Sequence, residues 1–242
     1  MQYKYCDNEN FEDLSCGRVI IHKSGCPNFP VRLAQEIFCR CMSYHSHKES
    51  ITLYDPCCGG GYLLTVLGLL NASILSHVIG SDIDEDVLSL AENNLSLLSE
   101  KGILQRIEHL NMLLQMYNKQ GHLEAIKSAE HLIDFVKNKN INTQTFFADV
   151  FDENIFKGKS FKADIIITDV PYGNLVSWQG GNDLNIDMLL DHLIPILKPD
   201  SIIAVCSDKQ QKTNNLNYKS LEKQLIGKRK FQIFCLQGEK VE

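Results

Sequence analysis

The sequence predicts a doubly wound α/β fold, a mostly parallel sheet with helices on both faces. Two observations predict it. Five short runs rich in β-branched residues end at Asp or Ser positions, at residues 51–55, 77–82, 143–149, 164–169 and 201–207. Each is close to continuously apolar rather than strictly alternating, as strands covered on both faces are. Helical periodicity separates them, which calls for crossover connections between parallel neighbours.

The elements follow in order. Residues 1–50 read as an N-terminal extension packed on the core, with a short strand at 18–22 and a helix starting near Pro30, since proline suits a first helical turn. Residues 51–242 form the main domain. Leu63, Leu64, Leu67 and Leu70 mark a helix after Gly61; Val87, Leu88, Leu90, Ala91 and Leu95 mark another over 85–98; a third covers 186–197. About sixty residues separate the second and third strands, far more than one crossover helix needs. The excess, 101–140, has helical spacing (Leu110, Leu113, Leu114, Tyr117, then Ala125, Ile126, Ala129, Ile133, Val136) broken at Lys119-Gln120-Gly121, so it reads as a two-helix insertion. Beyond the fifth strand only 230–236 has strand character, which leaves the last sheet edge undefined.

Composition narrows the function. The chain of 242 residues carries a net charge of −6, which excludes a broad basic face gripping duplex phosphates. Lys228, Arg229 and Lys230 form one local patch, for which a solvated turn is the plainer reading. The polar, acidic start and the lack of a run near 20 apolar residues predict a cytoplasmic protein with no membrane partner. Nine cysteines without regular spacing suit reduced, buried thiols. Cys39, Cys41, His45 and His47 have metal-ligand residue types, but the C-x-C spacing is too tight and Cys41 continues an apolar helical stripe. No metal is expected. A monomer is expected.

The ends of the strands carry the chemistry, because open parallel sheets bind ligands beyond their carboxyl ends. The first strand runs into Asp55-Pro56-Cys57-Cys58-Gly59-Gly60-Gly61, a turn through which backbone can approach a ligand closely. It is not a dinucleotide fingerprint, because Leu64 stands at the third glycine position. The carboxylate of Asp55 suits an ammonium. Asp82, ending the second strand before Ile83, suits ribose hydroxyls, whereas Asp84 suits a helix cap. Asp149, before Val150, suits an adenine amino group. This set resembles the class I S-adenosylmethionine-dependent methyltransferases, with Asp55, Gly59, Gly61, Asp82 and Asp149 at matching positions. The resemblance implies S-adenosylmethionine as cofactor, with Asp55 at its methionine end, Asp82 at the ribose and Asp149 at the adenine. Pro56, Cys57, Ile83, Val150 and Asp169 complete the expected cofactor site.

The fourth strand ends in Thr168-Asp169-Val170-Pro171-Tyr172-Gly173, which resembles the motif of methyltransferases that modify base nitrogens, with Val170 in place of the usual first proline. Asp169, Pro171 and Tyr172 are the expected catalytic group, Tyr172 also offering a stacking face. Arg32, Tyr172 and Trp178 are the expected substrate contacts. The order of Phe29-Pro30-Val31-Arg32-Leu33-Ala34, the glycine turn, the helical insertion, the Asp169 motif, Trp178, and the segments 219–222 and 226–229 resembles the avilamycin-resistance 23S rRNA methyltransferases of the AviRa type. That family implies methylation of a guanine in 23S rRNA, with resistance to oligosaccharide antibiotics. The alternatives are a C5-pyrimidine RNA methyltransferase using Cys206 as nucleophile, a small-molecule amine methyltransferase, and a non-catalytic RNA-binding module of the same fold.

Overall fold

The computed structural model describes residues 1–22, 28–170 and 186–238. Seven strands form one sheet: β1 (Ile51–Asp55), β2 (Leu75–Asp82), β3 (Asn142–Phe147), β4 (Ala163–Asp169), β5 (Leu197–Asp208), β6 (Tyr218–Ile226) and β7 (Arg229–Leu236). Their order is β3-β2-β1-β4-β5-β7-β6. The first five run parallel, and β7 lies antiparallel between β5 and β6. The chain starts in the middle at β1, winds outward to β3, then returns to β4 on the other side. That reversal between β1 and β4 opens the crevice where such sheets bind ligands.

Side chains alternate across the sheet. Leu53, Ile165, Ile167, Ile202, Ala204, Phe231 and Ile233 face a large core made with α2 (Val31–Tyr44), α3 (Tyr62–Leu70), α4 (Glu85–Ser96), α5 (Glu100–Tyr117) and α6 (Gln120–Val136). Tyr54, Ile166, Ile203, Val205 and Phe234 face the other side, against Ile186, Leu189, Leu190 and Leu193 of a helix at Ile186–Leu193, α7 once the short α1 (Glu12–Ser15) is counted.

Four expectations need correction. Residues 18–22 form no strand, although Val19 and Ile20 are fully buried. Side chains replace a strand neighbour: Asn94 donates to Ile21 O (2.8 Å) and accepts from Ile21 N (2.9 Å), while Arg106 donates to the carbonyls of Arg18 and Val19. Residues 143–149 are not a strand covered on both faces. β3 is the outer strand, pairs with β2 alone, ends at Phe147, and is exposed or half-exposed throughout. The helix expected over 186–197 stops at Leu193, because Pro195 cannot donate to a continuing helix, and a 3₁₀ turn (Ile194–Ile196) leads directly into β5. The undefined sheet edge is β6, joined to β7 through Gly227-Lys228, with Ile226 opposite Arg229 and Gly227 at φ +60°. A two-residue loop with left-handed glycine first is the Gly-x hairpin signal. It stands in the sequence, but exposed Lys219 and Lys223 and half-exposed Glu222 mask the strand before it.

The two-helix insertion is α5 and α6. Its break falls at Asn118 (φ +48°) and Lys119, slightly before the expected tripeptide. The N-terminal segment is tied down by buried Glu36, which accepts from the backbone N–H groups of Lys4, Tyr5 and Cys6 at 2.8, 2.9 and 3.0 Å. Arg40 pairs with Glu36 and also reaches Glu222 of β6 and the carbonyl of Gln2. A buried ion pair answered on all sides in this way fixes orientation more than it adds stability. Among the described residues, no helix is long and apolar enough to cross a membrane.

A candidate active site at the carboxyl edge of the sheet

Asp55 closes β1 and is 2% exposed, its Oδ1 accepting from Cys57 N at 3.0 Å. Burial pushes its carboxyl up to about 7; the Cys57 N–H opposes this, and the nearby Asp82 carboxylate adds to it. A desolvated carboxyl beside a second one suits a cation, so these acceptor oxygens fit the ammonium of an amino-acid ligand.

The glycine turn is held between β1 and β2. Cys58 N donates to Ser81 O (2.9 Å) and Gly59 N to Asp82 Oδ2 (2.7 Å). Gly61 has φ +73°, and a Cβ there would lie 3.1–3.3 Å from Ala91, so α3 and α4 approach closely only because the side chain is missing. Gly59 also has positive φ (+51°), but a Cβ there would meet nothing within 4 Å. Its side of the turn is therefore open, as a ligand-facing backbone requires.

Asp82 also accepts from Asp84 N (3.0 Å) through Oδ1. Each oxygen thus takes one backbone donor, and a carboxylate has lone pairs left for two hydroxyls. Ile83 beside it is 36% exposed. Asp84 caps α4 by accepting from Asp86 N, the simpler of its two roles. Asp149 lies two residues past the end of β3, in a turn joined to Asp82 by Ala148 N→Asp82 O (3.0 Å), and its Oδ1 accepts from Phe151 N (2.9 Å). Val150 is buried behind it. Pro56 and Cys57 form the wall between β1 and β2, with the Ser81 hydroxyl donating to Pro56 O (3.4 Å). Burial pushes the Cys57 thiol far up, so it stands there as an apolar group.

Asp169 ends β4 at the same edge. Val170 N donates to Cys206 O (3.0 Å), fixing the backbone just past Asp169 against β5. The carboxylate forms an ion pair with Arg229, the first residue of β7. The guanidinium also lies 5.9 Å from the ring centre of Phe29, and burial lowers its affinity for its proton. Sequence reasoning missed this partner. Arg229 is noticed there only within a cationic triplet; what joins it to Asp169 is the hairpin register that sets it opposite Asp208.

The other expected residues divide. Pro171, Tyr172 and Trp178 lie outside the described residues. Arg32 is engaged by the N-terminal segment: Nε and Nη2 donate to Cys6 O at 3.1 and 3.0 Å, and the guanidinium sits 4.0 Å over the Tyr3 ring. Cys206 is 3% exposed, its thiol pushed far up first by burial and then by Cys41 and Asp55. His45 contacts Asp200 O (2.9 Å) and lies near Asp164, apart from the strand-end carboxylates.

The comparisons with known proteins identify the family. The family model for rRNA methyltransferase AviRa matches residues 1–229. A 23S rRNA (guanine(2535)-N(1))-methyltransferase of Streptomyces viridochromogenes is 38% identical over 222 residues, covering 90% of this chain and 88% of the relative. The solved structure of rRNA methyltransferase aviRa from the same organism superposes with a TM-score of 0.84 at 35% identity, covering 96% of both chains. TrmN from Thermus thermophilus, 13% identical with a TM-score of 0.52 over 86% of this chain and 49% of its own, shares the fold alone. This chain belongs to the AviRa family of rRNA methyltransferases.

Proposed function

We propose that the chain transfers the methyl group of S-adenosylmethionine to N1 of a guanine in 23S rRNA. The observation that carries this reading is the position of Asp169: it ends β4, next to the Asp55 turn, and is held by Arg229. S-adenosylmethionine, when bound, supplies a methyl group already activated on a sulfonium, so the protein's work is positioning and proton removal. Asp55 takes the ammonium, Asp82 the ribose hydroxyls and Asp149 the adenine amino group, with Pro56, Cys57, Ile83 and Val150 as the apolar wall and Gly59 and Gly61 shaping the turn.

A neutral guanine holds a proton on N1, and its lone pair is not free for attack until that proton leaves. Asp169 accepts the proton as the N1–carbon bond forms and the carbon–sulfur bond breaks, leaving a neutral thioether. Arg229 fixes the carboxylate while it is ionised. Tyr172 provides the stacking face for the extruded base, beside Pro171, and Trp178 a further contact. The nucleophile needed for C5-pyrimidine chemistry finds no support, since the Cys206 thiol is buried and pushed far up by burial, Cys41 and Asp55, which disfavours a thiolate.

The test is methyl transfer from radiolabelled S-adenosylmethionine to total RNA, followed by mass mapping of the labelled nucleoside. N1-methylguanine in 23S rRNA is expected. Label in a pyrimidine, or in no RNA at all, overturns the reading.

A further inference from the structure

Charge is unevenly spread along this chain. Residues 209–230 hold seven of its 24 Lys and Arg but one of its 30 Asp and Glu. That one acid, Glu222, is engaged by Arg40. The fold gathers most of these cations at one place. Lys209 follows the carboxyl end of β5, Lys228 occupies the β6–β7 hairpin, and their backbones are joined by Lys209 N→Lys228 O (3.1 Å). Lys223 sits opposite Gln232 on the β6–β7 ladder, and Lys230 is two residues away on the same face. Lys209, Lys223 and Lys230, with Lys212 and the Gln210, Gln211 and Gln232 amides, line a cleft of about 550 Å³, and Lys228 stands on the hairpin turn beside it.

The cleft is built rather than incidental. Lys230 is 2% exposed, its ammonium held by Gln211 O. The loop beyond β5 is anchored by Asn214 N to both oxygens of Asp187 in α7 (3.0 and 3.1 Å). The Asp208 carboxylate is turned onto Gln210 N (2.8 Å). The cleft and the reaction centre share the carboxyl edge of the sheet but lie on its two faces: Lys230 turns to the cleft, and Arg229 beside it turns to the other face, where it is the ion-pair partner of Asp169.

We propose that this cleft, lined by Lys209, Lys212 and Lys223, together with Lys228 on the adjoining turn, grips the phosphates of the RNA strand that carries the target base. The inference rests on the methyltransferase reading above and adds the surface on which the RNA lies. A base delivered to Asp169 brings its flanking phosphates within reach of the neighbouring strand ends, and here these carry ammonium and amide donors, the groups that bind phosphate oxygens. The rest of the chain is strongly acidic, so a polyanion approaching it is steered to this one edge.

The experiment compares wild type with the variant Lys209→Gln/Lys212→Gln/Lys223→Gln/Lys228→Gln and with the single substitutions. A control, Lys137→Gln/Lys139→Gln, removes two exposed lysines just before β3, at the opposite edge of the sheet. The readouts are binding of transcribed 23S rRNA across a salt series, binding of S-adenosylmethionine by calorimetry, and melting temperature. The fourfold variant should bind RNA at least about tenfold more weakly, and its log–log salt dependence should flatten by about 0.7–0.9 for each phosphate contact removed. Cofactor affinity, melting temperature and the control should stay at wild-type values. RNA affinity and salt slope unchanged in the fourfold variant overturn the inference, and point to an acidic protein surface if ribosomal particles then bind more weakly. A fourfold variant that fails to fold leaves the four single variants to decide, each expected to flatten the slope by less than one. If wild type methylates guanine normally while these variants do too, the docking surface is wrong and the reaction stands; if wild type methylates no RNA, the reaction itself falls.

Discussion

The carboxyl edge of the sheet has two halves of opposite character. Around β1, β2, β3 and β4 the strand ends present Asp55, Asp82, Asp149 and Asp169 with no lysine or arginine among them. Around β5, β7 and β6 the carboxylate that ends β5, Asp208, is followed and flanked by Lys209, Lys228, Arg229 and Lys230. The methyl donor is a cation at its sulfonium and ammonium, and the acceptor is a polyanion. On the proposed function one edge of the sheet would serve both, because the two halves carry opposite signs, and the Asp169–Arg229 pair sits at the seam. The parallel half is built of crossovers and the antiparallel half of a hairpin.

The largest effect that could break this division is at the seam. Asp169→Ala should slow methyl transfer about a thousandfold, about 4 kcal/mol of transition-state stabilisation, while cofactor affinity changes by no more than a few-fold. Arg229→Gln should lower kcat less, with Arg229→Lys recovering part of the loss. Single-turnover kinetics together with calorimetry separate the two effects. Near-wild-type turnover in Asp169→Ala would remove the seam from the chemistry.

Next comes the cost of the acidic half. The folded Asp55 carboxyl titrates at about 7, against an ordinary value of 3.8. The folded state therefore holds this proton more tightly than the unfolded chain. Stability from this group is greatest below about pH 4 and is lost as pH rises through 7, by at most about 4 kcal/mol. Asp55→Asn should be more stable than wild type at pH 8 without ligand, and equal to it near pH 4. It should also bind S-adenosylmethionine more weakly at pH 8, because the ammonium loses its counter-charge. Chemical denaturation at both pH values, with and without ligand, checks both halves of the statement.

A smaller change sharpens the ligand assignment. Asp82→Ala removes acceptors for the ribose and also frees Gly59 N, so cofactor binding should weaken by about 1–3 kcal/mol. Titration calorimetry would sink the assignment by showing unchanged affinity.

The two halves were not equally legible in the sequence. Asp55, the glycine turn, Asp82 and Asp169 are adjacent to strands whose apolar runs announce them, so β1, β2 and β4 and their end residues can be read directly. β3 and β6 are outer strands, and exposure mixes polar residues into them; the extent of the first is therefore misjudged and the second is missed. The apolar pair Val19-Ile20 imitates a strand because burial alone makes that pattern, while its hydrogen bonds go to Asn94 and Arg106. Arg229 could not be assigned, because its meeting with Asp169 depends on hairpin register and on sheet order, and neither is written in a local pattern. The cationic triplet reads as a solvated turn for the same reason; only folding shows Lys230 buried and Arg229 paired.

The smallest expected effect lies directly on the seam. Cys206 lies on β5, the strand of the second half that borders the first, and pairs with Asp169 on one side and Phe231 on the other. A C5-pyrimidine mechanism would require its thiolate to attack a ring carbon, whereas nitrogen methylation is direct displacement and needs no nucleophilic side chain. The thiol is buried within the core and pushed upward by burial, Cys41 and Asp55, so almost none of it is ionised at neutral pH. Cys206→Ala removes one small buried atom and should cost about 1 kcal/mol of stability. It should retain at least roughly a tenth of the wild-type rate, and wild type should form no covalent complex with RNA containing 5-fluoropyrimidines. A folded but inactive Cys206→Ala protein, or an adduct that vanishes in that variant, would move the chemistry from the carboxylate of Asp169 to the sulfur beside it.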